Sequence, residues 1–291
     1  MGITILDGGM GQELVARSCA EPTPLWSTRI MLDEPALVRA VHDDFFAAGA
    51  GIATANSYAV HHDRLEAAGL DHLFEDLHRT ACRIATEARD AHGSGLVAGA
   101  LGPLGWSYRP DMAPPAEEAA RAYAEIAAIQ ADAVDLFICE TMASVEQARG
   151  ALLGLSDADR PVWLAITTRD EDGTCLRSGE PVRDILPLVD AFRPEALLVN
   201  CTTPEAITDA LGLLRGHGVT LGAYGNGFVR IAEAFRSSTA TVRDLRARED
   251  LTPARYADFA EQWAALGATL IGGCCEIGPA HIAELRRRLS A

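Results

Sequence analysis

PARYADFAEQWAALGATLIGGCCEIGPAHI, residues 253–282, sets a helical pattern directly before a strand pattern. Over 253–267 the apolar residues recur at three- and four-residue steps and end in Gly267, which suits the position just past a helix C-terminus. The run ATLIGG (268–273) is short, apolar and closed by a glycine pair, which predicts a buried strand. Two adjacent cysteines, Cys274 and Cys275, follow where another helix begins. A helix feeding a buried strand is the repeating unit of a parallel sheet covered by helices.

The same alternation runs through the chain. ITIL (3–6), GIATA (51–55), GLVAGA (95–100), DLFICE (135–140), VWLAITT (162–168), ALLVNC (196–201) and TLGAYG (220–225) read as further strands. Amphipathic stretches such as PALVRAVHDDFFAAG (35–49) and LFEDLHRTACRIATEARDA (73–91) lie between them. Eight strand–helix units in a chain near the norm of about 250 residues predict an α/β fold of the (β/α)8 TIM-like barrel type. An open doubly wound sheet is the alternative. We expect a single domain spanning 1–291, with an exposed loop or irregular helix from about 228 to 252.

The chain has 291 residues, 48% of them hydrophobic, enough to bury a large core. Lys and Arg number 25 against 41 Asp and Glu, a formal net charge of −16. A surface that tracks phosphates is basic, so this balance argues against nucleic acid and anionic membrane as partners. No window reaches the roughly 18 apolar residues of a membrane span, and MGITILDGGMGQEL lacks the pattern of a signal peptide. The expected location is cytoplasmic, and the seven cysteines are expected to be reduced core or ligand residues.

Barrel geometry sends the chemistry to the C-terminal ends of the strands. Those ends carry Asp7-Gly8-Gly9, Asn56-Ser57-Tyr58, Cys139-Glu140-Thr141, Asn200-Cys201-Thr202, Asn226 and the cysteine pair. The adjacent thiols admit three readings: buried small hydrophobes, a vicinal disulfide, or soft ligands for one metal. The barrel rim brings Cys201 toward Cys274 and Cys275, and three sulfurs with an open fourth position would suit Zn²⁺. The spacing is no CxxC pair, so packing stays open beside the metal. Asp7 and Glu140 are candidates for binding an ammonium group or acting as bases, against a turn residue and a helix cap respectively.

Other templates gain nothing. The glycine-rich stretches at 8–14 and 99–105 match neither G-x-G-x-x-G nor a Walker loop. His61-His62-Asp63 reads as a solvated helix start, and no G-x-S-x-G or H-E-x-x-H is present.

As an ordered set, ILDGGMGQEL, LWS (25–27), CET (139–141), NCT (200–202) and IGGCC followed by PAHI resemble the homocysteine S-methyltransferase family over nearly the whole chain. The resemblance implies a (β/α)8 barrel whose Cys201, Cys274 and Cys275 bind catalytic zinc. It also implies that Asp7 and Glu140 hold the substrate amino group, with Gly8 near its carboxylate. Relatives take the methyl group from S-methylmethionine, S-adenosylmethionine, betaine or methylated folate. The chain ends soon after GGCC, so a methyl sulfonium donor is expected, S-methylmethionine first. Trp26 and Tyr58 are candidates to face the sulfonium by cation–π attraction, with Asn226 as a polar neighbour; ordinary packing is the competing account of the two rings. Gln12 replaces a frequent Thr, and Gly225-Asn226-Gly227 replaces a Pro-Asn-Ser/Ala-Gly type turn. The same scaffold would also suit another thiol or selenol acceptor, betaine as donor, or a non-catalytic zinc- or thiol-binding barrel.

Overall fold

Apolar runs of four to seven residues, each followed by a helix that returns the chain, leave parallel pairing as the sheet's only economical arrangement. The computed structural model, which describes residues 2–19, 23, 25–231 and 245–289, has that arrangement. Its strands are β1 (Thr4–Ile5), β2 (Ile52–Thr54), β3 (Leu96–Leu101), β4 (Leu136–Met142), β5 (Val162–Ile166), β6 (Ala196–Asn200), β7 (Thr220–Gly225) and β8 (Ala268–Gly273). They form one parallel sheet in the order β1-β8-β7-β6-β5-β4-β3-β2. A parallel bridge between Leu6 and Ile52, with the Gly51 N–H donating to the Ile5 carbonyl at 2.7 Å, brings the two edges together. The fold is therefore an α/β TIM-like barrel.

Strand periodicity divides the core in two. In β4, Phe137 and Cys139 join the large layer between sheet and helices, while Leu136 and Ile138 fill the barrel interior. In β6, Leu197 and Val199 face outward, and Ala196 and Leu198 inward. Branched and aliphatic side chains thus plug the barrel, leaving its upper end for function. A Cβ at Gly222 would come within 2.6 Å of Leu198, so this β7 position leaves room for the plug.

The helix predicted over 253–267 runs from Pro253 to Ala265, and Gly267 has φ of 103°, the left-handed geometry expected past a C-terminus. Its N-cap is Thr252, whose hydroxyl accepts from the Arg255 N–H. The helices over 35–49 and 73–91 are likewise present as Pro35–Ala47 and Phe74–His92. Positions 232–244 of the expected 228–252 loop lie outside the described residues. The two ends of that loop are joined by an antiparallel bridge between Phe228 and Ala247. No helix among the described residues is long and apolar enough to cross a membrane.

Candidate active site

Following the inward alternation of β4 past Leu136 and Ile138 puts Glu140 above the barrel plug. Asp7, Gly8, Glu140, Trp26 and Tyr58 all line one cavity of about 150 Å³. Cys201, Cys274 and Cys275 line the same cavity. Asn226 does not: its Oδ1 turns back to accept the Phe228 N–H at 3.1 Å, and Phe228 takes the place on the wall.

The two carboxylates are held in different ways. Asp7 accepts from the Thr54 N–H at 2.6 Å and the Thr54 hydroxyl at 2.8 Å, which ties the end of β1 to β2. Burial nevertheless raises its pKa to about 6. Glu140 accepts from the Tyr224 hydroxyl at 3.0 Å, and burial, reinforced by the nearby Asp7 charge, raises it to about 8. Both acids are short of positive charge. A bound ammonium would supply it and favour the ionised forms.

The sulfurs come together because the cysteines end β6 and β8, with β7 between them. The three Sγ atoms lie within 4.8 Å of one another. A tetrahedral ion with sulfurs at about 2.3 Å would space them roughly 3.8 Å apart, so the set has the compactness a metal needs. Cys201 and Cys274 are joined as a disulfide and Cys275 is a free thiol. The vicinal pairing is thus absent, and the reduced state expected for all seven cysteines does not hold for this pair. Strand ends that can converge on a metal can also converge on each other. Burial and the Glu276 charge push the Cys275 thiol up to about 12, so a metal joining the set must displace its proton. Cys82 and Cys139 are buried, while Cys19 is exposed and Cys175 partly so.

Backbone strain concentrates here. Among the described residues, six other than glycine have positive φ, and four of them, Trp26, Tyr108, Thr141 and Cys201, line the cavity. Such conformations persist only where the surroundings enforce them. Cys201, at φ 50°, is held by its carbonyl, which accepts from the Thr167 hydroxyl and from Arg177 Nη2, each at 3.2 Å. Arg177 pairs with Asp170 at 2.7 Å, both side chains buried, and its guanidinium lies 4.5 Å from the Tyr108 ring centre. Thr141, at φ 61°, donates its N–H to Asn200 Oδ1 at 3.1 Å, while Asn200 Nδ2 donates to the Thr141 hydroxyl at 3.0 Å. Asn200 thus braces β4 against β6.

Two glycines allow close packing around this cavity. A Cβ on Gly11 would lie 2.2 Å from the Trp26 indole, and one on Gly8 would lie 2.1 Å from the Ile277 carbonyl. Trp26 meets Tyr58 edge to face at 6.3 Å, and the Tyr58 and Ser107 hydroxyls share a hydrogen bond of 2.8 Å. Gln12 donates its side-chain amide to Glu276, beside the cysteine pair.

Sequence reading missed Arg64, Trp106, Ser107, Tyr108 and Phe228, which also line the cavity. The dense WSYR run (106–109) after β3 was the available signal for the loop. His61, read as part of a solvated helix start, is buried, and burial holds its ring well below the usual pKa; His62 beside it is exposed enough to pair with Asp71.

Comparison with known proteins places this cavity in context. The family model described as homocysteine S-methyltransferase matches residues 4–289. A homocysteine S-methyltransferase of Escherichia coli K12 is 34% identical, the match covering 98% of this chain and 95% of the relative. The crystal structure of the Escherichia coli homocysteine methyltransferase MmuM in its metallated form superposes with a TM-score of 0.83 at 31% identity, covering 99% of this chain and 96% of the other. Its oxidized form gives the same TM-score at 32% identity, covering 98% and 96%.

Proposed function

The chain belongs to the homocysteine S-methyltransferase family, and on that premise we propose that it transfers a methyl group from a sulfonium donor, S-methylmethionine first, to the thiol of homocysteine, giving methionine. The observation that carries this reading is the meeting of three cysteine sulfurs and two charge-starved carboxylates in one cavity. Cys201, Cys274 and Cys275, once reduced, are the residues to hold zinc. Bound zinc would supply the Lewis acidity that makes a thiol nucleophilic at neutral pH. A cytoplasmic setting suits such a site, since thiols stay reduced there. We read the whole chain, 1–291, as one homocysteine-binding barrel domain.

The protein's own residues do the rest. Asp7 and Glu140 receive the ammonium of homocysteine, and Gly8, on the cavity wall, lies beside its carboxylate. Trp26 and Tyr58 turn aromatic surface toward the donor cation, which steadies it without the strong trap of a carboxylate partner. The acceptor sulfur, as the thiolate left once its proton has passed to solvent, attacks the methyl carbon opposite the donor sulfur. One C–S bond forms as the other breaks, and the donor leaves as a neutral thioether. The transferred methyl loses no proton, so no general base acts there. Catalysis rests on alignment of the two sulfurs and on stripping water from the acceptor sulfur.

The test is an initial-rate assay with reduced, zinc-supplemented protein and homocysteine against S-methylmethionine, S-adenosylmethionine and betaine. Methionine formation is expected to be fastest with S-methylmethionine. Tight zinc and homocysteine binding with no turnover from any donor would leave a binding barrel and end the methyltransferase reading.

A further inference from the structure

Arg64 lies in the first turn of the helix His62–Ala67, after β2, and lines the same cavity. The residue is only 9% exposed. Its guanidinium sits 5.1 Å from the Trp106 ring centre, which satisfies one face of the cation but none of its in-plane N–H donors. Nη2 makes a long bond of 3.4 Å to the Gly105 carbonyl, and the buried Nε has no partner. Among the described residues no carboxylate forms an ion pair with Arg64. The contrast with Arg177 is direct, since that buried guanidinium has Asp170, the Thr167 hydroxyl and the Cys201 carbonyl around it. A buried cation lacking an anion is costly to keep, and here the vacant donors border a ligand cavity.

Position decides which ligand would complete it. Arg64 and Tyr58 follow β2, which lies opposite the β6 end that carries Cys201; Trp106 follows β3, and β8, with Cys274 and Cys275, is separated from β2 by β1. The acceptor is anchored between the sulfurs and the Asp7–Glu140 pair. The aromatic side therefore belongs to the donor, and its cation is Arg64.

We propose that Arg64 binds a carboxylate on the methyl donor, so that the donor is an onium compound carrying both a cationic centre for the Trp26–Tyr58 wall and an anionic group for the guanidinium. This rests on the methyl-transfer reading above and adds the donor's second recognition element. A sulfonium amino acid and a carboxylated quaternary ammonium share this chemistry.

The experiment compares S-methylmethionine with its methyl ester, and betaine with its methyl ester, on wild type, Arg64→Lys and Arg64→Leu. Esterification removes the negative charge and leaves the onium centre. For whichever donor is competent, wild type is expected to favour the acid over the ester by about 10- to 100-fold in kcat/KM, as expected for loss of a charge-assisted hydrogen bond. Arg64→Leu should erase that preference by raising the KM of the acid, while the KM for homocysteine and the use of the ester stay near wild type. Arg64→Lys should retain part of the preference. The wild-type comparison needs no variant, so misfolding of Arg64→Leu would not shield the proposal. Equal use of acid and ester by wild type would overturn it, as would an Arg64→Leu effect confined to homocysteine. Calorimetric binding of the same acids and esters keeps the two readings separable: selective acid binding without turnover supports Arg64 while removing the methyltransferase activity.

Discussion

Glu140 ties the stability of the barrel to pH through a single buried carboxyl. Its ordinary value of 4.5 rises to about 8 through burial, so the folded state holds the proton more tightly than the unfolded state. Below 4.5 both states are protonated and no difference arises. From there to about 8 the unfolded chain ionises first, and stability falls as pH rises. Asp7 acts with the same sign in a lower window ending at about 6. Glu140→Gln keeps an acceptor for the Tyr224 hydroxyl and removes the charge. In reduced, metal-free protein it should gain about 1–3 kcal/mol over wild type between pH 4 and pH 9 in urea unfolding. A difference independent of pH would mean that the carboxyl ionises freely. The same variant should raise the KM for homocysteine roughly tenfold or more, because the ammonium loses a charge-assisted partner. Asp7, Glu140 and the three cysteines were readable because each interrupts or ends an apolar strand run. Arg64 was not, because a charged residue early in a short helix has the sequence pattern of a solvated one.

Between strands, the governing contact is the brace from Asn200 to Thr141. It joins the strand ends that carry Cys201 and Glu140 across the intervening β5. Asn200→Ala strands the buried Thr141 N–H and should cost about 1–3 kcal/mol. It should also lower metal content at limiting zinc, since Cys201 follows the brace directly. Chemical denaturation together with metal analysis checks both; unchanged metal affinity would confine Asn200 to packing. All eight strands were visible in the sequence as apolar runs, β7 and β8 with both ends in place and the others with ends off by at most two residues. The reading of β4 stopped at Glu140, whereas the strand continues to Met142. A polar residue marks the end of a strand when its backbone has nowhere to go, but here Asn200 supplies the partner. Sequence pattern cannot show a satisfying side chain that lies 59 positions away.

Across the whole barrel, the cysteines connect the ends of β6 and β8, either through the Cys201–Cys274 disulfide or through a shared metal. The alternation of strands and helices revealed the closed sheet and hence the common rim. The oxidation state was not readable, since it depends on which electrons and ions the three sulfurs meet. These states exclude each other: a disulfide leaves only Cys275 as a free thiol in the set. Zinc should therefore bind at one ion per chain after reduction and should bind weakly before it. Any ligand selective for the folded state stabilises by mass action, by about 4 kcal/mol at a thousandfold excess over Kd. Reduced protein should accordingly melt several degrees higher with zinc than after chelation, and oxidised protein should show no comparable shift. Cys201→Ala, Cys274→Ala and Cys275→Ala should each abolish most of that shift and of the metal content, whereas Cys19→Ala, at an exposed position away from the cavity, should preserve both. Melting curves paired with metal analysis decide the matter. A full zinc-dependent shift in the oxidised protein, or in all three cysteine variants, would place the metal elsewhere and remove the sulfur set from the mechanism.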